Sequence, residues 1–109
     1  MHELSIAEAI VSAVSERLGD ERARRVTLEV GMLSGVVPEA LRFAFDLCTK
    51  QTVVEGARLE IREVEGLGAC RQCDREVALS APFGVCPCGS PELVIVRGRE
   101  LRLLEVEVA

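Results

Sequence analysis

Apolar residues recur at Leu4, Ala7, Val11, Val14 and Leu18, the three- and four-residue steps that line one side of a helix, while Glu8, Ser12, Ser15 and Glu16 fall opposite. Ser5-Ile6-Ala7-Glu8 fits a capping box at its start, and Gly19-Asp20 ends it. The period then shortens to two. Val26, Leu28 and Val30 alternate with Thr27 and Glu29, which predicts a strand with one buried face, closed by Gly31. A loop through Ser34 and Gly35 leads to Pro38, suited to a first helical turn, and Leu41, Ala44, Phe45 and Cys48 form the buried stripe of a second helix running to about Thr49. After a turn at Glu55-Gly56, residues 57–64 set Leu59 and Ile61 against Arg58, Glu60 and Arg62, a second strand. The last strand spans residues 99–108. Between these two strands lies a cysteine-bearing excursion flanked by Gly66, Gly68 and Gly98, which read as hinges.

The order helix, strand, helix, strand, excursion, strand predicts an α+β fold: a small mixed three-stranded sheet packed with two helices, plus an inserted ribbon. On this reading residues 1–65 and 99–109 form one domain and residues 66–98 another.

Composition narrows the function. The 109 residues are 49% hydrophobic, enough for one small core beside the ribbon. The longest purely aliphatic run, residues 93–96, is far short of the roughly 20 residues of a membrane helix. The N-terminus has no basic segment followed by an apolar run, so a cytoplasmic location and reduced thiols are expected. A net charge of −5 and an aromatic content of 3%, with no Tyr or Trp, offer neither a phosphate track nor a stacking platform, which argues against nucleic acid as a partner.

Four of the five cysteines sit in Cys70-Arg71-Gln72-Cys73 and Cys86-Pro87-Cys88-Gly89. Two close thiol pairs joined by a short loop can converge on one tetrahedral ion, for which zinc is the default occupant. The alternatives are a disulfide-stapled loop or a redox dithiol. No histidine lies in the cluster, so all four ligands would be Cys70, Cys73, Cys86 and Cys88, and a divalent ion would leave about two negative charges. The second pair is one residue shorter than the first, so its turn is expected to differ in geometry. A ribbon of this size buries little apolar area, and metal binding is expected to supply its folding free energy, on the order of 10 kcal/mol. Cys48, on an apolar helical stripe, reads as core packing.

His2 is the only histidine. Beside a retained Met1, the terminal amine, the amide nitrogen and the imidazole fall where they can chelate one ion of the type that displaces amide protons, nickel(II) or copper(II). A helix starting nearby helps, because ionising the amide nitrogens of His2 and Glu3 breaks no helical hydrogen bond. The affinity order of divalent ions favours copper, and the residues alone do not select nickel.

Met1-His2-Glu3-Leu4-Ser5, Leu28-Glu29-Val30-Gly31, the run from Glu55 to Ile61, and Cys-x-x-Cys followed by Cys-Pro-Cys-Gly-Ser together resemble the HypA family, nickel-delivery accessory proteins of [NiFe]-hydrogenase maturation. The resemblance spans nearly the whole chain. It implies a nickel metallochaperone, not an enzyme, with nickel at Met1, His2 and Glu3 and structural zinc at Cys70, Cys73, Cys86 and Cys88. It implies the GTPase HypB and the hydrogenase large-subunit precursor as partners, for a monomer or weak homodimer. A zinc-ribbon adaptor without its own nickel site is the competing reading. The lack of a Walker-type phosphate loop and of a nucleophile with a partnering base fits a carrier.

Overall fold

The computed structural model describes residues 2–109. Two helices, α1 (Glu3–Leu18) and α2 (Pro38–Cys48), accompany six strands: β1 (Ala23–Gly31), β2 (Arg58–Val64), β3 (Gly66–Cys70), β4 (Glu76–Leu79), β5 (Leu93–Arg97) and β6 (Leu101–Val108). They form two three-stranded sheets, ordered β2-β1-β6 and β4-β3-β5. The first is mixed, β1 pairing parallel with β2 and antiparallel with β6. The second is antiparallel throughout and carries the cysteines. No helix among the described residues is long and apolar enough to cross a membrane.

The periodicities place the core. Ala7, Val11 and Val14 of α1 and Leu41, Ala44 and Phe45 of α2 are buried against Val26, Leu28, Val30 and Leu59 of the first sheet, with Val54 between α2 and β2. Phe45, 1% exposed, heads the largest wholly buried side chains. Phe45→Ala is expected to lower unfolding free energy by about 3–5 kcal/mol in urea titrations, with zinc content unchanged, because the cavity opens in the core of the first sheet and its helices and not among the four ribbon cysteines.

Three expectations need correction. The helix begins at Glu3, with His2 as N-cap and no side-chain cap, so Ser5 and Glu8 do not form a capping box. The Glu3 carboxylate instead accepts the Val37 N–H at 3.0 Å, tying this end of α1 to the N-terminus of α2. Leu4 faces solvent, 53% exposed, because the buried stripe begins at Ala7 with the flanking Ile6 and Ile10. Strand β1 also buries residues on both faces. Thr27, on the face away from the helices, is wholly inaccessible, and its hydroxyl has no hydrogen-bond partner. It lies beneath charged side chains: Arg25 approaches Glu105 at 3.4 Å, Glu107 at 3.6 Å and Glu60 at 3.9 Å, and Arg102 Nε meets Glu29 at 2.8 Å. Each exposed pair contributes little energy, but together their stems roof the central strand.

The flanking glycines are not free hinges. A Cβ on Gly31 would lie 2.0 Å from the Gly98 carbonyl oxygen, and one on Gly98 would lie 2.7 Å from the Gly66 Cα. The Leu33 side chain fills the space beside Gly66 and Gly98, and its N–H donates to the Gly98 carbonyl at 2.6 Å. Gly31 N–H bonds the Glu100 carbonyl at 2.7 Å, and Met32 N–H the Val64 carbonyl at 2.8 Å. Close backbone approach, not flexibility, explains these glycines.

Candidate metal centres

Cys70 ends β3, the central strand of the second sheet. The chain then reverses. Cys70 N–H donates to the Arg75 carbonyl at 2.8 Å, Asp74 N–H to the Cys70 carbonyl at 2.9 Å, and Asp74 takes a left-handed φ of 61° to complete the turn. The second turn repeats this plan one residue shorter. Cys86 N–H donates to the Ser90 carbonyl at 2.8 Å, Gly89 N–H to the Cys86 carbonyl at 2.7 Å, and the left-handed position, φ 96°, falls to Gly89. Each closing bond spans one residue fewer than its counterpart. That is the physical meaning of Cys-x-Cys: the missing residue is absorbed by tightening the turn, and both thiols still point inward.

The four Sγ atoms lie within 4.8 Å of one another. Cys70 and Cys88 are 3.6 Å apart, as are Cys73 and Cys86, so each contact joins one turn to the other. A zinc–sulfur bond of about 2.3 Å in a tetrahedron requires sulfur–sulfur edges of about 3.8 Å, so the donor set fits a divalent ion held by four thiolates. The Gln72 N–H, 3.4 Å from Cys70 Sγ, aims a further donor at one of them. Cys70 and Cys86 are buried, Cys73 and Cys88 exposed. Without a cation these thiols cannot all ionise. Amide N–H groups, that of Cys73 foremost, draw the Cys70 thiol down to about 6. The Cys88 amide pulls Cys86 the same way, yet burial and neighbouring sulfurs push it up to about 12. A bound cation removes that conflict.

Cys48 stands apart from the cluster, packed beside the core, and burial raises its thiol above the usual cysteine value.

At the other end of the chain, His2 is exposed, with φ −78° and ψ 63°, and its carbonyl accepts the Ile6 N–H at 3.1 Å. It is therefore spent as an acceptor at the first helical turn, while the imidazole projects from the fold's surface. The Val37 N–H holds the Glu3 carboxyl below the ordinary glutamate range. That contact is complete above the ordinary carboxylate range and is lost as pH falls through the lowered value. His2 and Glu3 are thus brought together at one helix end, and Met1 lies outside the described residues. Val37 was not legible as part of this end, although the N–H preceding Pro38, which caps a helix N-terminus, is a donor without an intrahelical acceptor.

Comparison with known proteins gives a consistent result. The family model described as hydrogenase/urease nickel incorporation, metallochaperone, hypA matches residues 1–108. A hydrogenase maturation factor HypA of Nostoc punctiforme is 50% identical over 108 residues, covering 99% of this chain and 96% of the relative. One from Geobacter metallireducens is 46% identical over 109 residues, with 99% of each chain covered. The solution structure of the nickel metallochaperone HypA from Helicobacter pylori superposes with a TM-score of 0.65 at 26% identity, over 99% of this chain and 97% of that one. Agreement over the full length, in both sequence and fold, places this chain in the HypA family of hydrogenase and urease nickel-incorporation metallochaperones, which are not enzymes.

Proposed function

We propose that this protein binds one nickel(II) ion through the Met1 amine, the backbone and imidazole nitrogens of His2, and Glu3, and delivers it to the large-subunit precursor of [NiFe]-hydrogenase in the cytoplasm. HypB, a GTPase, docks with it and supplies the energy for directional transfer. One zinc ion, held by Cys70, Cys73, Cys86 and Cys88, is structural. Residues 1–65 and 99–109 form the nickel-handling domain, and residues 66–98 the zinc ribbon.

The observation that carries this reading is the family match across residues 1–108, which includes both metal segments. The chemistry supports it. A carrier must hold its ion firmly enough to load and loosely enough to release. An exposed chain end, with one imidazole and ionisable backbone nitrogens, suits exchange better than a thiolate cage. Because the amide nitrogens lie at the start of α1, deprotonating them costs no helical hydrogen bond. Binding expels protons, so nickel retention falls as the solution is acidified.

The test uses untagged protein with a free N-terminus. After nickel exposure and desalting, the wild type is expected to hold one nickel and one zinc per chain, and His2→Ala one zinc only. Nickel retained by His2→Ala would remove the terminal site. Phe83 and Val85, 77% and 63% exposed in the loop before Cys86, favour a second reading as a ribbon adaptor. In that case the wild type would hold zinc alone, and HypB binding would be equal in both proteins.

A further inference from the structure

The four ribbon cysteines differ in what can reach them. Cys70 and Cys86 are each 2% exposed, whereas Cys73 and Cys88 face solvent. The surroundings of the outer two are open: residues 71–76 are exposed around Cys73, and Pro87 and Gly89 are exposed on either side of Cys88.

The sulfurs are also paired in space. Cys70 Sγ lies 3.6 Å from Cys88 Sγ, and Cys73 Sγ lies 3.6 Å from Cys86 Sγ. Each contact joins one buried sulfur to one exposed sulfur, and each runs from the first turn to the second. A disulfide needs its sulfurs to close to about 2.05 Å, which from here asks for side-chain rotation rather than a new backbone path. Pairing within the second turn is harder. It would close a ring across Pro87, whose fixed φ leaves Cys86 and Cys88 little freedom to meet, and the 2.7 Å bond from Gly89 N–H to the Cys86 carbonyl holds that turn in shape. With that pairing disfavoured, Cys86 and Cys88 must both look to the first turn.

We propose that this cluster is a site of reversible oxidation by peroxide: its four thiolates become two disulfides, Cys70 with Cys88 and Cys73 with Cys86, releasing the zinc while the ribbon stays closed. The inference rests on zinc being held by these four cysteines. Cys88 Sγ, the exposed member of its pair, attacks one oxygen of hydrogen peroxide; an S–O bond forms, the O–O bond breaks, and the hydroxide that leaves is protonated to water. The Cys70 thiolate then attacks that sulfur, forming the S–S bond and expelling a second hydroxide, which is protonated in turn. Cys73 and Cys86 repeat the sequence. Each disulfide consumes one peroxide and two protons and yields two waters, the sulfurs being oxidised and the peroxide oxygens reduced. Sulfur spent in a disulfide is no longer a thiolate ligand, so two peroxides release one zinc. The buried partner also intercepts the sulfenic acid before a further peroxide carries it to the irreversible sulfinic acid.

The crossed pairing decides what the ribbon does next. Disulfides inside each turn would leave the two turns untethered, and Leu79 alone buries an aliphatic side chain in the ribbon among the described residues, so it would open. Crossed disulfides replace the ion by two covalent ties between the same turns. Reduction by a dithiol restores the donor set.

The test uses the zinc-loaded full chain carrying Cys48→Ser, so that the thiol outside the cluster takes no part. Zinc release is followed with a metallochromic indicator during titration with hydrogen peroxide. The product is then digested with trypsin, unreduced and with free thiols blocked. Trypsin cuts after Arg71 and Arg75, which places Cys70, Cys73 and the two later cysteines on separate peptides, 63–71, 72–75 and 76–97. The expected product has all three joined, and fragmentation between Cys86 and Pro87 assigns Cys88 to peptide 63–71. One zinc is expected per two peroxides, the amide resonances of residues 66–98 are expected to stay dispersed, and dithiothreitol is expected to allow zinc to reload. Peptide 76–97 released with its own internal disulfide overturns the proposal. So do sulfinic acids as the main product, a random-coil ribbon spectrum after release, and zinc held against excess peroxide. A reduced protein that holds no zinc removes the structural-zinc reading too, which separates that failure from a failure of the oxidation step alone.

Discussion

Cys70→Ser is expected to abolish zinc retention: after dialysis against a weak chelator, the metal content of about one ion per chain falls to nearly none. Cys70 is the buried thiolate on the central strand of the ribbon sheet, and serine offers a hydroxyl that neither ionises at neutral pH nor matches the softness of zinc. The structural consequence is larger than the loss of one bond. The buried side chains of the ribbon are two metal-facing cysteines, Leu79 and Ser90, so little apolar area holds it without the ion. Metal binding by such a segment is worth on the order of 10 kcal/mol, which is most of its folding free energy. Amide resonances of residues 66–98 should collapse towards random-coil positions in the variant, while those of β1, β2 and the helices keep theirs. Cys48→Ser, by contrast, is expected to keep its zinc. A Cys70→Ser protein that retained both zinc and a dispersed ribbon spectrum would place the ion elsewhere.

The cluster was legible because its geometry is local. Each pair of cysteines is fixed by its own turn, and only one further fact, that the loop folds back, was needed to bring the pairs together. What the sequence did not disclose was how a shortened pair keeps its thiols aimed. That depends on which carbonyl each N–H finds, Arg75 for Cys70 and Ser90 for Cys86, and nothing in the residue types announces it. His2 drew notice for the opposite reason: a single histidine at position 2 is conspicuous whatever the fold does.

The fold divides the same way. Helical stripes and strand alternation were readable wherever one face is buried and the other wet, as at Leu41, Ala44 and Phe45. They failed where tertiary partners intervene. Thr27 looked like a solvent-facing residue, and it is buried by arginine and glutamate stems from three strands. Leu4 looked buried, and the helix turns it outwards. Gly66, Gly68 and Gly98 looked like flexible joints, since glycine in a loop usually signals freedom. Here the residues that make them necessary are distant in sequence.

That joint yields the second large effect. Gly31→Ala is expected to destabilise the first sheet by roughly 4 kcal/mol or more, in the range reserved for substitutions that force backbone apart. The new methyl carbon would sit 2.0 Å from the Gly98 oxygen, 2.2 Å from its carbonyl carbon and 2.7 Å from the Arg99 nitrogen, none of which is a flexible side-chain tip. Relief requires the entry to β6 to move, and the Gly31–Glu100 and Leu33–Gly98 hydrogen bonds go with it. Gly56→Ala is the proper control. Its φ of 82° carries a conformational penalty of about 1 kcal/mol, but no atom lies within 4 Å of the added carbon. Urea titrations followed by circular dichroism should therefore separate the two variants by several kcal/mol, with zinc content the same in both. Equal midpoints would mean that the two sheets are not locked at Gly31. The same contact makes the ribbon an extension of a molecule 55 Å long rather than a tethered appendage. Loosening it should raise the amplitude of ribbon motion in relaxation measurements without disturbing the four-cysteine cluster, because the clash lies between the two sheets and neither those cysteines nor His2 are among the atoms it meets.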